Sequence, residues 1–274
     1  MTLRGVTFRN RAWVAPMCQY SSVDGRPSDW HLVHLGGLAR GGAGLVMQEA
    51  TAVVPEGRIS PADAGIWTDQ QARDYRRIVD FIHGQGARAG IQLAHAGRKA
   101  STRVSWQDSG TVPEADGGWR TVAPSAQAFG ALAAPRALSR DEVAALPGHF
   151  ALAARRSIDA GFDVVEVHGA HGYLVHQFLS PLSNDRDDEY GGDLAGRARL
   201  LYEIAESVRA AIGGDAALFV RLSATDWVDG GWDLDSTIEV SKELTARGVD
   251  LIDVSSGGLD PRQEVVAGPS YQVP

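Results

Sequence analysis

The sequence predicts an α/β fold, a (β/α)8 TIM barrel that ends after its sixth strand. Short apolar segments alternate with amphipathic ones along the whole chain, which is typical of a parallel sheet covered by helices. No G-x-G-x-x-G motif follows the first apolar segment, which argues against a doubly wound dinucleotide-binding sheet. Polar or special residues follow each apolar segment, as at the active-site edge of a barrel: Cys18, Glu49, Gln92, His168, Arg221 and Ser255.

The first half of the chain contains three predicted strands and two predicted helices. Hydrophobic periodicity predicts strands at residues 11–17, 44–50 and 87–94, and helices at residues 29–40 and 69–85. The second helix carries its apolar side chains on one face. Residues 97–137 then break the alternation with many Gly, Pro, Ser and Trp residues. We expect this long excursion to be a functional lid or binding loop, and its Trp106 and Trp119 to cover a substrate.

The second half of the chain continues the alternation. Ser139 and Glu142 have capping-box spacing, so we expect a helix from there to about Ala160, bent near Pro147. Strands are predicted at residues 164–167, 217–222 and 251–254, and helices at residues 194–212 and 236–247. Six strands do not close a barrel of this class, so we expect about two further βα units to be missing from a single domain that spans residues 1–274.

Composition excludes several classes of function. The formal net charge is −8, and no cluster of Lys and Arg stands out, which argues against a nucleic-acid partner. Cys18 is the single cysteine, so an internal disulfide or a cysteine-held iron–sulfur cluster is excluded and a reducing compartment is favoured. The first residues do not resemble a signal peptide, and no apolar run is long enough for a membrane span. We therefore expect a cytoplasmic protein with no membrane partner.

Residues 163–181 carry the strongest chemical signal. A short apolar strand is followed at close spacing by His168, His171 and Tyr173, among glycines. Two imidazoles and a phenol can together polarise an oxygen and deliver a proton. The competing interpretations are a core or helix-capping histidine pair and a metal pair. The metal interpretation lacks a third ligand, so we predict no metal.

Five segments in order resemble one known family. They are APMCQY at residues 15–20, GLVMQEA at 44–50, IQLAHAGRK at 91–99, VHGAHGY at 167–173, and SPLSNDR with EYGG at 180–192. The sequence is similar to the old yellow enzyme family, and most to its bacterial branch of NADPH-dependent ene-reductases with a cysteine near the flavin. The resemblance implies a TIM barrel with non-covalent FMN and with NADPH or NADH as the hydride donor. The implied substrates are activated C=C bonds of α,β-unsaturated aldehydes, ketones (enones) or nitroalkenes.

The resemblance also implies a role for each residue of the site. His168 and His171 would donate hydrogen bonds to the substrate's carbonyl oxygen, Tyr173 would protonate its α-carbon, and Tyr20 would line the substrate pocket. The implied flavin contacts are Ala15, Pro16, Met17, Cys18, Ala50, Gln92 and Arg221. The implied FMN phosphate site belongs to the last two βα units of such a barrel, beyond the predicted elements. In the cysteine-bearing branch an arginine crosses a dimer interface, so a homo-oligomer is compatible with the resemblance.

Simpler interpretations stay open at several of these positions. Arg221 could pair with a barrel carboxylate such as Glu166, and Cys18 could be a small core residue. We interpret Arg98 and Lys99 as solvated charges rather than as cofactor ligands. Two other functions remain: another FMN barrel reductase of the dienoyl-CoA reductase type, which the lone cysteine disfavours, and an inactive fragment that depends on a partner.

Overall fold

The chain begins with a hairpin that the sequence did not predict. The computed structural model describes residues 1–266 and 268, and its first elements are the antiparallel strands β1 (Thr2–Leu3) and β2 (Val6–Thr7). Val6 and Phe8 pack against side chains at the amino ends of the later strands. The hairpin therefore covers the end of the sheet opposite the predicted site. Two-residue strands carry almost no periodicity, so no sequence pattern predicts them.

The remaining elements alternate as predicted. In order they are β3 (Trp13–Val14), α1 (Asp29–Arg40), β4 (Leu45–Ala52), α2 (Asp69–Gly84), β5 (Arg88–Ala94), the short pair β6 (Val122–Ala123) and β7 (Arg136–Ala137), α3 (Arg140–Ala160), β8 (Val164–Gly169), α4 (Leu174–Leu179), α5 (Leu194–Ile212), β9 (Ala217–Ser223), α6 (Leu234–Ala246) and β10 (Leu251–Ser255). The predicted first strand is shorter than expected, and α4 was not predicted as a helix. The predicted capping box is present, because the Ser139 side chain accepts from the Glu142 amide and the Glu142 side chain accepts from the Ser139 amide.

Six parallel strands form the central sheet. Their order is β10-β9-β8-β5-β4-β3, so each strand pairs with the next major strand along the chain. This is the connectivity of a (β/α)8 barrel through its sixth strand, and that prediction is confirmed for the described residues. β3 and β10 are the edge strands there. The end of the predicted domain, residues 267 and 269–274, lies outside the described residues.

Helices α1 to α6 cover the outer face of the sheet through one large apolar cluster. The β-branched and leucine side chains of β5, β8 and β9 that point outward pack against α2, α3 and α5, as in Ile91, Val165 and Leu218. Burial of this surface is the main source of stability in such a layer. None of the helices in the described part of the chain is long and apolar enough to cross a membrane.

Candidate active site

Polar side chains from neighbouring strands meet at the carboxyl edge of the sheet. Gln92 of β5 lies opposite Glu166 of β8, and His168 of β8 lies opposite Arg221 of β9, which in turn lies opposite Asp253 of β10. Residues two apart on a strand share a face, so these side chains all belong to the inner face. The expected clustering of polar residues at this edge is therefore present.

His168, His171 and Tyr173 lie together at the end of β8. Residues 168–173, here called the His–Tyr turn, comprise the last two residues of β8 and the connection to α4. The ring centroid of His168 lies 5.1 Å from that of His171 and 5.0 Å from that of Tyr173, and both contacts are edge-on. The structure thus brings all three predicted catalytic side chains into one cluster.

The imidazole of His168 is buried and neutral. Its Nδ1 accepts a hydrogen bond of 3.3 Å from the backbone N–H of Ala170, so its single proton lies on Nε2. Burial holds the pKa of His168 well below its usual value, and the nearby His171 and Arg221 lower it further. A neutral imidazole with a free N–H is a hydrogen-bond donor that does not transfer its proton readily. This is the property that an oxyanion donor requires.

His171 is held in a backbone conformation that few residues adopt. Its φ is +58°, in the left-handed region, and its backbone N–H donates to Ser223 Oγ at 3.0 Å. Its Nε2 lies 2.6 Å from Ser255 Oγ. When the Ser255 hydroxyl donates, the imidazole proton lies on Nδ1. Burial lowers the pKa of His171 to about 3, with smaller effects from Arg221 and other cations, so this imidazole is also neutral.

Tyr173 is a protonated phenol in an apolar setting. Burial raises its pKa well above the usual value, and the nearby Cys18 and Tyr20 add to this effect. Tyr173, Cys18, Tyr20 and Trp119 pack around a small cluster of buried apolar side chains, namely Ile59, Ala96 and Ala100. The predicted substrate-lining residue Tyr20 and the predicted proton donor Tyr173 therefore share one pocket wall.

Arg98 and Lys99 are not solvated charges, and that prediction is wrong. Arg98 is 4% exposed and donates to the carbonyl oxygen of Leu259 at 2.9 Å. Lys99 Nζ donates to the carbonyl oxygen of His171 at 2.9 Å and to that of Gly258 at 2.8 Å, and it lies 5.1 Å from the centroid of the Tyr173 ring. Burial lowers the pKa of Lys99 to about 8, and Arg98 contributes to the shift. Lys99 thus braces the His–Tyr turn, and both cations bind carbonyl oxygens of the segment after β10.

The predicted flavin segment at residues 15–18 follows β3 directly. Ala15 and Met17 are exposed, whereas Pro16 and Cys18 are half-buried. Burial raises the pKa of the Cys18 thiol well above its usual value, with smaller contributions from Asp63 and Glu49, so the thiol is neutral. Cys18 is free and lies in the Tyr173 pocket rather than in the main core.

Glu49 anchors this segment from β4. Its carboxylate accepts from the backbone N–H of Gln19 and lies 2.8 Å from His31 Nε2 on α1. Next along β4, a shift in strand register between Gln48 and Ala50 presents the buried Ala50 beside Gln92. The bulge and its small side chain leave space at this point of the sheet edge.

Gln92 and Arg221 each contact a carboxyl side chain of the inner face. Gln92 Nε2 donates to Glu166 Oε1 at 2.8 Å. Arg221 Nε lies 3.3 Å from Asp253 Oδ2, so its nearest carboxylate is Asp253 and not Glu166. Burial raises the pKa of Glu166 to about 8, with a further contribution from Asp253. Glu166 is then largely protonated at neutral pH, so Asp253 is the carboxylate that pairs with Arg221.

The residues present fit the ring system of FMN. Arg221 Nε is buried and has no well-aligned hydrogen-bond partner among the described residues, so the cation is available to an anionic group. Gln92 offers an amide to the pyrimidine edge of such a ring, and Ala50 offers space for close approach. The donor set is therefore suited to a flat, electron-accepting heterocycle that becomes anionic on reduction.

The excursion after β5 lies beside the predicted substrate pocket. The Trp106 ring contacts Tyr20 edge-on, with centroids 5.8 Å apart. Trp119 Nε1 donates to the carbonyl oxygen of Glu56 at 2.8 Å, and the guanidinium of Arg58 lies 4.8 Å from the Trp119 ring centroid. The covering of a substrate by these tryptophans stays a prediction. The contacts with Glu56 and Arg58 hold the Trp119 ring in place.

Three residues near the site were missed by the sequence-based prediction. They are Ser223, His176 and Asp226, and each contacts the His–Tyr turn or a residue that does so. A signal was available for one of them, because His176 and Gln177 are polar residues in an otherwise apolar run. Ser255, which was noted as a polar strand end, is the last residue of β10 and contacts His171.

Comparison with known proteins agrees with this architecture. Residues 1–266 match the NADH:flavin oxidoreductase / NADH oxidase family. The chain is 47% identical to NADH:flavin oxidoreductase FG08077 of Gibberella zeae, over 100% of this chain and 70% of that protein. It is 44% identical to an NADPH dehydrogenase of Halalkalibacterium halodurans, over 99% of this chain and 76% of that protein.

The fold also matches a solved structure. An old yellow enzyme homologue from Zymomonas mobilis superimposes with a TM-score of 0.83 at 30% identity, covering 99% of this chain and 77% of that one. The chain thus belongs to the NADH:flavin oxidoreductase / NADH oxidase family, as an FMN-dependent NAD(P)H oxidoreductase of the old yellow enzyme type.

Proposed function

We propose that the protein is an ene-reductase that uses NAD(P)H to reduce activated C=C bonds of enones, α,β-unsaturated aldehydes or nitroalkenes. The observation that carries the proposal is the cluster of two neutral imidazoles and one protonated phenol at the end of β8. In the overall reaction NAD(P)H is oxidised to NAD(P)⁺, while the C=C bond gains a hydride at the β-carbon and a proton at the α-carbon. FMN, when bound, supplies the hydride.

His168 and His171 stabilise the charge that develops on the substrate. Hydride addition at the β-carbon places negative charge on the carbonyl or nitro oxygen. His168 Nε2–H and His171 Nδ1–H donate to that oxygen, and each donor lowers the barrier by about 3 kcal/mol. Their lowered pKa values keep both groups neutral, so they hold the anion without protonating it prematurely.

Tyr173 delivers the proton to the α-carbon from its phenol oxygen. A phenol with a raised pKa stays protonated until a strong base forms beside it, and an enolate carbon is such a base. Cys18, Tyr20 and Trp119 pack around the same apolar cluster as Tyr173. Ala15, Pro16, Met17, Cys18, Ala50, Gln92 and Arg221 would hold the FMN ring, with Arg221 as the cation beside its pyrimidine portion.

The wider setting is part of the same proposal. The chain would act as one FMN-binding domain on a small-molecule substrate. The single cysteine, free and neutral, supports a reducing cytoplasmic compartment. It also disfavours the dienoyl-CoA reductase type, since that type holds an iron–sulfur cluster by cysteines. A homo-oligomer is compatible with this proposal.

The histidine pair gives the direct test. Replacing His168 and His171 together by alanine should abolish binding of cyclohexenone and leave reduction of the flavin by NADPH largely intact, because the lost donors face the substrate oxygen. His34→Ala, at a half-buried histidine on α1, is the matched control. Turnover of cyclohexenone at the wild-type rate in the double variant would refute the assigned roles.

A further inference from the structure

The imidazole of His176 and the carboxylate of Asp226 form a wholly buried pair beneath the His–Tyr turn. Both side chains are 0% exposed, and His176 Nε2 lies 2.9 Å from Asp226 Oδ1. Asp226 Oδ2 also accepts from Ser180 Oγ at 2.6 Å and from the backbone N–H of Trp232 at 2.8 Å. Those two hydrogen bonds are well aligned, whereas the close contact between His176 Nε2 and Asp226 Oδ1 leaves neither atom with a well-aligned hydrogen-bond partner among the described residues. Asp226 therefore lies fixed through Oδ2, with Oδ1 facing the His176 ring.

The proton position on His176 follows from its two partners. His176 Nδ1 accepts the backbone N–H of Gly172 at 2.9 Å. A ring nitrogen that accepts a hydrogen bond carries no proton, so the single proton of the neutral ring lies on Nε2 and faces Asp226. The carboxylate therefore selects the tautomer that can receive the Gly172 N–H.

Gly172 is the residue between His171 and Tyr173. Its φ is +72°, and a Cβ at this position would lie 2.2 Å from the carbonyl oxygen of Gly258, so no other residue fits. Its own carbonyl oxygen accepts from Gln177 Nε2 at 2.7 Å. Both backbone polar groups of Gly172 are thus held by side chains of α4, which fixes the separation of His171 from Tyr173.

We propose that Asp226 and His176 are positioning residues that keep the oxyanion donor His171 and the proton donor Tyr173 in register through Gly172. The inference rests on the roles proposed above for His171 and Tyr173. Asp226 lies in the loop that follows β9, the strand that carries Arg221. The pair therefore ties the His–Tyr turn to the neighbouring βα loop.

Asp226→Asn tests the tautomer selection in the FMN-bound protein. Ser180 and the Trp232 N–H are both donors, so the oxygen of the new amide stays with them and its NH2 group faces His176 Nε2. The NH2 group of the side chain at position 226 then donates to His176 Nε2, so the ring proton moves to Nδ1. There it faces the backbone N–H of Gly172, and two donors point at each other. The ¹⁵N spectrum of histidine-labelled protein should show the proton of His176 moving from Nε2 to Nδ1, the His176 signals being assigned by their loss in His176→Asn.

The kinetic expectation is specific to proton delivery. Anaerobic reoxidation by cyclohexenone should slow by about 10- to 100-fold, because small displacements of reacting groups have effects of this size. Reoxidation by O₂ should stay within twofold, since it does not need Tyr173. Asp229→Asn, at an exposed residue of the same loop, should change neither rate.

A second variant guards against simple loss of structure. In the double variant Asp226→Asn/His176→Asn, the side-chain oxygen of the new asparagine at 176 can accept the Gly172 N–H without the carboxylate, so the cyclohexenone rate should recover at least threefold over Asp226→Asn. A tautomer change in Asp226→Asn without a change in the cyclohexenone rate would overturn the positioning role.

A wild-type protein that takes up FMN but does not reduce cyclohexenone would contradict the proposed function instead. In that case deuterium exchange at the Gly172 amide tests the positioning role of Asp226 and His176. Faster exchange in Asp226→Asn supports the role of Asp226 in maintaining the hydrogen bond from the Gly172 N–H to His176, and unchanged exchange overturns that role.

Discussion

Lys99 Nζ donates a hydrogen bond of 2.9 Å to the backbone carbonyl oxygen of His171, the residue that adopts a left-handed φ of +58°. A left-handed conformation at a non-glycine residue persists only when its surroundings hold it. The ammonium group holds the carbonyl side of His171, and Ser223 holds its N–H. The second acceptor of Lys99, the Gly258 carbonyl oxygen, comes from the segment after β10.

Lys99→Met should therefore weaken both stability and enone reduction. Methionine keeps most of the side-chain length but leaves two carbonyl oxygens without their donor. The free energy of unfolding should fall by about 1–3 kcal/mol, and cyclohexenone turnover by about tenfold. Urea titration and steady-state kinetics measure the two effects. Arg103→Met, at an exposed residue of the same excursion, should change neither, and equal behaviour of the two variants would contradict the bracing role.

Tyr173→Phe should separate proton delivery from hydride acceptance. The ring contacts with His168 and Lys99 persist without the hydroxyl, so the pocket wall remains. Anaerobic reoxidation by cyclohexenone should slow by about 10²–10⁴-fold, the usual contribution of a general acid. Stopped-flow reduction by NADPH should stay near the wild-type rate. Tyr202→Phe on α5 is the control, and equal cyclohexenone rates in the two variants would exclude Tyr173 as the proton donor.

Ser255→Ala should affect substrate binding through the His171 tautomer. Without the hydroxyl at 2.6 Å, Nε2 loses the partner that leaves the proton on Nδ1. We expect the dissociation constant of a phenol, bound as an oxyanion, to rise about three- to tenfold. A spectroscopic titration of the FMN-bound protein measures it. Ser241→Ala on α6 should bind the phenol as the wild type does; a similar loss there would point to general destabilisation.

The raised pKa of Glu166 predicts that the free energy of unfolding falls as pH rises. Its pKa is raised to about 8 in the folded chain, from 4.5 in the unfolded one, because burial disfavours the carboxylate. Between those values the unfolded chain loses a proton that the folded chain keeps. The free energy of unfolding therefore falls by about 1.4 kcal/mol per pH unit from this group, and levels off above the folded pKa.

Glu166→Gln removes the titration but keeps the hydrogen-bond geometry toward Gln92. The slope of the free energy of unfolding between pH 5 and pH 8 should become less negative in this variant. Urea titrations at four pH values measure the slope, with Glu239→Gln at an exposed residue of α6 as the control. An unchanged slope in Glu166→Gln would contradict the raised pKa.

The sequence predicted the barrel and the clustering of His168, His171 and Tyr173 because both depend on local patterns. Alternation of apolar segments and the spacing of His168, His171 and Tyr173 are visible without coordinates. The contacts of Lys99 and Arg221 are not visible in the sequence, because their partners lie far along the chain. The partner of Lys99 is the carbonyl oxygen of Gly258, and that of Arg221 is the carboxylate of Asp253.

Buried polar pairs were beyond prediction for the same reason. His176 and Asp226 are separated by a helix and a strand, and only the packing of α4 against the loop after β9 brings them within 2.9 Å. The short hairpin β1–β2 was missed for a different reason, since two residues are too few to display a period.

The most direct test of the account is an anaerobic titration of the FMN-bound protein. The absorbance of oxidised flavin should bleach on addition of one equivalent of NADPH. It should return in full on addition of 2-cyclohexenone, with one equivalent of cyclohexanone formed. A flavin that bleaches with NADPH but stays reduced in the presence of cyclohexenone, an α,β-unsaturated aldehyde and a nitroalkene would contradict the proposed ene-reductase function.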